Sequence, residues 1–480
     1  MLPPLIRRPR GRIEPRSDER GFTMAFVAMT MAAIICMAAL SIDIGTLYEA
    51  KAEAQRSADA AALTAARVIS ISGITGDPTN SSGSWATICG GSASAATQAA
   101  TTVAQQNLIG GIAVPTTSVT VKYGVGSAGA TNADCSTLGV NFAINPVVAV
   151  SLQRSNLPVF FARIFSLFGS RYSGTSVSAT ATAEAFNPSD SSPMVSVQPR
   201  CVKPWFVPNQ DPAHGSASFV DRNTGQITKQ GVSTTGVIGE TFNLVPDCQT
   251  NHRGRCHLIS TAPAATPPST LQYVPGEVPA TSVAIASNGT IGACSQVQNA
   301  DYWNAVAGCD QTTVYSCGAN PPGNIVNLAN NPGRPDNDSA NAVQCLTNES
   351  TSGVGNGQDY LAPGPSAGPY TFPFQILAGS KSALVSTGIA STSQISNSPS
   401  IVSLPIYDNV ANPTINGFGT TAVTVVGFLQ VFINSADNTT SSTGGYINVT
   451  VMNVAGCGNS ASGTAVTGTS PVPIRLITPP

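Results

Sequence analysis

Between Arg20 and Asp43 the chain runs GFTMAFVAMTMAAIICMAALSI without a single charged side chain. As a helix rising about 1.5 Å per residue, this run covers roughly 30 Å, the depth of a bilayer's hydrocarbon core. It predicts one transmembrane helix over residues 21–44. The flank before it holds six arginines against Glu14, Asp18 and Glu19, and basic flanks stay on the cytoplasmic side. Residues 1–20, rich in proline and arginine, therefore read as a disordered cytoplasmic tail, with everything after Asp43 outside.

The helical period continues past the span. Leu47, Ala50, Ala54, Ala58, Ala61, Ala65 and Val68 recur at spacings of three and four, while Glu49, Glu53, Arg56 and Arg67 fall on the opposite face. An alanine stripe lets a neighbouring backbone approach closely, so this face is expected to dock against partner helices. Gln55 and Asp59, four apart on one flank, can meet each other or a neighbouring helix. Asp43 sits where a carboxylate either finds a partner or is solvated at the membrane interface. The span and its extension together form a stalk of roughly 70 Å.

Asp43-Ile44-Gly45 at the membrane exit, Gln55, and Asp59-Ala60-Ala61-Ala62-Leu63 resemble the N-terminal signature of the TadG-like proteins of Tad (Flp) pilus assembly systems. The segment LPVFFARIF followed by SVSATATAEA, and the succession PIYD then VVGFLQVFI near the end, are also similar to that family. The resemblance covers both ends of the chain and leaves the middle open. It implies a helix-docking motif made of Asp43, Gly45, Ala50, Ala54, Gln55, Ala58, Asp59, Ala61, Ala62 and Leu63. It further implies a non-catalytic assembly factor or minor pseudopilin, single-pass in the bacterial inner membrane. Its partners would be membrane lipid and other Tad pilus-assembly proteins or pseudopilins, and its bulk would be periplasmic or surface-exposed. Gly21-Phe22-Thr23-Met24 looks like the start of a type IV prepilin, which a peptidase cuts after the glycine, so Gly21 and Phe22 form a candidate processing site; Phe26 stands where pilins carry glutamate. The rival is a membrane-anchored adhesin or glycan-binding protein that shares only the anchor.

The expected fold class is α+β: a transmembrane helix extended into a pilin-like stalk with a small β-sheet, then a cysteine-rich, mostly β C-terminal region. Residues 45–186 read as a pilin-like α/β module. Within it, Ala95 to Leu108 predicts a helix with Ser94 as N-cap. TSVTVKY and VVAVSL predict strands, and Leu157 to Phe168 an amphipathic helix with Asn156 as N-cap. In TSVSATATAEAF, Val177, Ala179, Ala181, Ala183 and Ala185 alternate with polar residues, as a strand with one small-residue face does. NPSDSSPM, residues 187–194, has the composition of a linker. Residues 195–370 carry seven of the eleven cysteines and few periodic apolar runs, so disulfides and loops are expected to hold them. Residues 371–480 read as a β domain, a sandwich or sheet, with Val423 to Ile433 as its central strand.

Ten cysteines follow Cys36, enough for up to five disulfides in an oxidising compartment, with connectivity open. The span Cys248, His252, Cys256 and His257 reads as a disulfide beside two histidines in preference to a zinc site, because it lacks paired C-x-x-C knuckles. The acidic stretches Asp336-Asn337-Asp338-Ser339 and Asp437-Asn438-Thr439-Thr440-Ser441 read as solvated loops rather than ion sites. Gly364-Pro365-Ser366-Ala367-Gly368 matches G-x-S-x-G in letters, but Pro363 and Pro369 deny it the strand and helix of a nucleophile elbow. No catalytic, cofactor-binding or metal-ligating residue is therefore assigned. Beyond residue 257 the basic side chains are Arg334, Lys381 and Arg475 alone, too few to make a nucleic-acid surface.

Overall fold

The structure is a computed structural model. It describes residues 19–76, 83–157, 161, 175–191, 194–228, 231, 236–246, 269–278, 291–295, 300–310, 312–320, 323–329, 335–364, 370–411, 422–438 and 445–478. The first helix, α1, runs unbroken from Glu19–Ile71, 53 residues or about 80 Å.

The second half of α1 lies on a five-stranded antiparallel sheet and beside a shorter helix. The strands are β1 (Val119–Val125), β2 (Ala130–Asn132), β3 (Pro146–Leu157), β4 (Thr175–Ala185) and the last strand of the chain, β17 (Ile474–Ile477), in the order β17-β4-β3-β1-β2. The flanking helices are α2 (Ala86–Cys89), α3 (Ala95–Gln106) and α4 (Val140–Ile144). Ala54, Ala58, Ala61, Ala62 and Ala65 are wholly buried, in one core with Ala96, Ala100 and Ala104 of α3 and Ala179, Ala181 and Ala183 of β4. A methyl group holds each layer apart by little more than backbone contact, so α1 can sit close to both α3 and the sheet. Larger side chains fill the far end, where Phe142 lies 6.2 Å from Trp85 and 6.3 Å edge-on to Tyr123. Thr97 of α3 and the Tyr123 hydroxyl are hydrogen-bonded at 2.7 Å, and Cys89 is disulfide-bonded to Cys135.

Ser94 does occupy the N-cap position of α3, but its hydroxyl donates to the Gly91 carbonyl instead of accepting from the helix. Leu157, expected to open an amphipathic helix, is instead the last residue of β3, and Asn156 sits at φ 58°. Of the remainder of that expected helix only Phe161 is among the described residues.

Beyond the sheet the chain closes a barrel. Its strands are β6 (Trp205–Pro208), β7 (Thr241–Pro246), β8 (Ser269–Pro275), β13 (Ile401–Tyr407), β14 (Ala422–Asp437) and β15 (Tyr446–Gly456). The order β13-β6-β8-β7-β15-β14 closes through pairing of β14 with β13, and β9 (Ile325–Asn327) adds to the start of β14. Two pairs, β7 with β8 and β6 with β13, are parallel, which requires long crossovers. Between residues 360 and 395 three two-residue strands, β10 (Tyr360–Leu361), β11 (Ile376–Leu377) and β12 (Gln394–Ile395), form a small sheet. Strands β5 (Val195–Pro199) and β16 (Ser462–Gly468) pair in parallel.

The barrel corrects two expectations. Residues 195–370 supply β6, β7, β8 and β9 while residues 371–480 supply β13, β14 and β15, so no boundary at 370 separates two units. The C-terminal part is a barrel rather than a sandwich because β13, on reaching the edge of β14, pairs with β6 instead of ending the sheet. Strand β14 is paired on both sides and buried along nearly its whole length, in agreement with its continuous apolar run. Helices α5 (Ala300–Ala307) and α6 (Pro335–Thr347) complete the core. There the Ser339 hydroxyl lies 2.8 Å from Tyr273 and 3.1 Å from Tyr302. Asp338 and Ser339 are thus buried in the first part of α6, not in a solvated loop. Disulfides join Cys201 to Cys309, Cys294 to Cys345 and Cys317 to Cys457.

Residues 187–194, expected as a linker, begin as part of a buried joint. The Asn187 amide donates to the Thr75 and Val454 carbonyls at 3.2 and 3.0 Å, and the Asn453 amide donates to Thr75 Oγ1 at 2.6 Å. Ser189 accepts from the Gly456 N–H at 2.7 Å. Gly73, at φ 85°, lets the chain turn off α1, and a Cβ there would lie 2.9 Å from the Met452 carbonyl oxygen. Burial lifts the Asp190 carboxyl to about 7.

Packing at α1 predicts that Ala58→Leu, which adds volume to a fully buried site, lowers stability by at least about 1–3 kcal/mol. Met29→Leu on the exposed half should leave it unchanged; denaturant unfolding of the detergent-solubilised chain checks both. Lys203 gives a second prediction. Its ammonium donates to the Val306 and Gly308 carbonyls, both at 2.6 Å, and burial lowers its pKa from 10.5 to about 7. Between those values the unfolded chain keeps the proton that the folded chain has lost, so this residue makes stability rise as pH goes from 7 towards 10. Lys203→Met should remove that rise, measured as a flatter unfolding free energy against pH.

Candidate membrane-anchoring and helix-docking site

The two halves of α1 meet different surroundings. From Thr23 onward the helix is long and apolar enough to cross a membrane. Met24, Met29, Ile35 and Met37 are 64–79 % exposed, and they point in all directions round the helix. An apolar surface on every side of a helix is stable in lipid and costly in water. Cys36, exposed on this half, is the free cysteine among the described residues.

Burial begins on one side before the apolar run ends. Ala39 is covered and Asp43, one turn later, is 1 % exposed. The Asp43 carboxylate accepts the Phe161 backbone N–H at 2.9 Å. Of the two fates open to this carboxylate, partnered or solvated, the chain supplies the partner, and it comes from just beyond β3. The interaction ties the membrane exit of α1 to the sheet module.

The flank bearing Gln55 docks against a strand edge. Strand β17 pairs with β4 from Thr182 to Ala185 and leaves the rest of that edge open. There the Gln55 amide donates to the Thr180 carbonyl at 3.3 Å and to Asp59 Oδ1 at 2.8 Å, and Lys51 donates to the Ser178 carbonyl. Long polar side chains thus satisfy carbonyls that would otherwise offer a template for another strand. On the other flank Glu53 accepts the Gly110 N–H at 2.7 Å and Ser57 donates to the Ala104 carbonyl at 3.2 Å, holding the end of α3. Lys51 was not singled out from the sequence, and Glu53, placed there on the face opposite the stripe, instead holds Gly110; their position between alanines of the stripe is the signal that could have found this role.

The expected docking residues therefore divide. Ala50, Ala54, Ala58, Ala61 and Ala62 are buried by the chain's own α3 and sheet, and Leu63 is half-buried against the same core. The face assigned to partner helices is thus already filled, because residues 95–106 and 175–185 bring matching alanines to it. Gly45 differs: it is exposed, and a Cβ built on it meets nothing within 4 Å. Gly21 and Phe22 lie within α1.

Cys248, His252, Cys256 and His257 lie outside the described residues, as do residues 365–369 and 439–441. Asp437 ends β14 and the Asn438 amide donates to Asn341 Oδ1 at 2.5 Å, so this stretch starts as strand.

Residues 21–68 match the family model described as putative Flp pilus-assembly TadE/G-like. This segment takes in the whole exposed half of α1, Asp43, Gly45 and the alanine stripe almost to its end. No curated protein and no solved structure matches the chain. Over residues 21–68 of its long first helix, the chain is similar to the putative TadE/G-like proteins of Flp pilus assembly.

Proposed function

We propose that this protein is a membrane-anchored, non-catalytic component of Tad (Flp) pilus biogenesis, an assembly factor or minor pseudopilin of the bacterial inner membrane. The carrying observation is that one unbroken helix is exposed and apolar in its first half and locked into a folded module in its second. Lipid and helices of other Tad pilus-assembly proteins or pseudopilins surround the first half. The arginine-rich flank sets the N-terminus in the cytoplasm, and the sheet module and barrel lie in the periplasm or at the surface. Disulfides in both folded parts suit that oxidising side. A long helix laid on an antiparallel sheet supports reading residues 45–186 as a pilin-like unit.

Partner contact falls to the exposed side of α1, where Gly45 leaves a notch beside Ile44 and Tyr48. A residue without a side chain lets a second helix approach there, and Tyr48 suits the membrane–water boundary. Processing between Gly21 and Phe22 separates the two roles: N-terminal sequencing that reads the arginine-rich tail identifies a permanent anchor, and a Phe22 start identifies a filament-competent subunit.

Ile35→Arg places a charge near the middle of the span, at a cost of about 2.5–3.5 kcal/mol for insertion. It should reduce the membrane-bound fraction and the number of pili in the encoding bacterium, both restored by Ile35→Leu. Full piliation by cells in which Ile35→Arg has released the protein from the membrane contradicts the anchoring role. A photo-cross-linker at Gly45 should capture another membrane protein of the pilus system; cross-links to lipid alone oppose partner docking there.

A further inference from the structure

We propose that Asp211, His214 and Glu240 hold a divalent transition-metal ion, with zinc the chemically matched ion, at one end of the barrel. Asp211 follows β6 and Glu240 immediately precedes β7. His214 stands in the turn between Asp211 and Ala217, which are bridged; the turn reverses through Gly215 and Ser216 at φ 63° and 66°. The ligand atoms of all three lie within 4.8 Å of one another.

Hydrogen bonding inside the cluster does not account for its charge. Asp211 Oδ1 is taken by the backbone N–H groups of Ala213 and His214, at 2.9 and 3.3 Å. Its other oxygen, Oδ2, lies 2.9 Å from His214 Nδ1, and Glu240 Oε1 lies 2.5 Å from the same nitrogen. One ring nitrogen can donate one proton and so serves one carboxylate at most. Glu240 is 5 % exposed, and beyond the shared His214 nitrogen and the neighbouring Asp211 carboxyl its carboxylate oxygens meet no hydrogen-bond donor. A carboxylate removed from water is relieved either by a proton, towards which burial and the Asp211 charge push Glu240, or by a cation that faces it.

One imidazole nitrogen and two carboxylate oxygens form a donor set that zinc accepts with bonds of about 2.0–2.2 Å. A hard ion such as calcium favours six or more oxygens instead. Three protein ligands leave one coordination position for water, and the His214 side chain, 19 % exposed, keeps the cluster within reach of solvent. Such an ion would pin the loop after β6 to the residue that opens β7, a cross-link within the barrel additional to its disulfides.

The test uses the full chain, solubilised in detergent, stripped of metal with a chelator and titrated with zinc chloride by calorimetry. The expected result is stoichiometric zinc, one ion per chain. Cobalt as a probe should give the spectrum of an oxygen- and nitrogen-liganded site without thiolate charge transfer. Glu240→Gln and His214→Ala should each weaken binding by more than the roughly 10–100-fold that follows loss of an outer-shell partner, with disulfide content and circular dichroism unchanged. The double substitution His252→Ala, His257→Ala should leave binding unaltered. Wild-type protein that takes up no zinc or cobalt overturns the proposal. So does binding that survives Glu240→Gln but is lost with the His252 and His257 substitutions, or a cobalt spectrum dominated by thiolate. Should the single variants fail to fold, the wild-type stoichiometry and cobalt spectrum decide alone.

Discussion

Close approach of α1 to α3 and to the sheet, allowed by alanine on every facing surface, is the constraint on which this architecture rests. A helix of 53 residues has no reason to stay straight or to stay put in water, since isolated helices gain most of their stability from packing. Here the second half is clamped from two sides while the first half has only apolar surface to offer. The clamp fixes the direction in which the membrane half leaves the module. Asp43 reinforces that direction at the point of exit, and the polar flanks carrying Lys51, Glu53 and Gln55 fix the rotation of the helix about its own axis.

A second consequence is continuity between the anchor and the barrel. Ile71 at the end of α1 is part of the barrel core, and Ser70 donates to the Val472 carbonyl at 2.8 Å. Strand β17 then returns to pair with β4 beneath the helix. The chain thus runs from the apolar half of α1 through the sheet module, builds the barrel, and comes back to complete the sheet. Buried hydrogen bonds of Asn187 and Asn453 to Ser70, Thr75 and Val454 tie the end of α1 to the barrel.

Much of this was legible in the sequence. The uncharged run gave a helix half long and apolar enough to cross a bilayer, and the three-and-four spacing of alanines gave the continuing helix and its buried face. The alternation in β4 and the apolar continuity of β14 also survived. What alanine spacing does not encode is the identity of the covering surface, so the stripe was assigned to other chains although α3 and β4 carry the matching residues. The joint was missed because Ser70, Ser72, Thr75, Asn187 and Ser189 have the composition of loops; their burial depends on hydrogen bonds to residues hundreds of positions away. Similarly, the barrel's parallel pairs leave no local signal, since strands from either side of residue 370 meet only through long crossovers. The cluster of Asp211, His214 and Glu240 was invisible for the same reason, as 26 residues separate the imidazole from Glu240 in the chain and only the pairing of β7 within the barrel brings them together.

The most direct test of the central claim is a single-cysteine scan along α1 in native membranes, in a Cys36→Ser background, read with a water-soluble maleimide. Protection should be uniform from Met24 to Ile42, where lipid surrounds the helix on every side. From Gly45 to Val68 it should become periodic, with Ala50, Ala54, Ala58, Ala61 and Ala65 protected and Tyr48, Glu49 and Arg56 labelled. Uniform labelling from Gly45 to Val68, or free labelling at Met29 and Ile35, would contradict a helix held half by lipid and half by its own module.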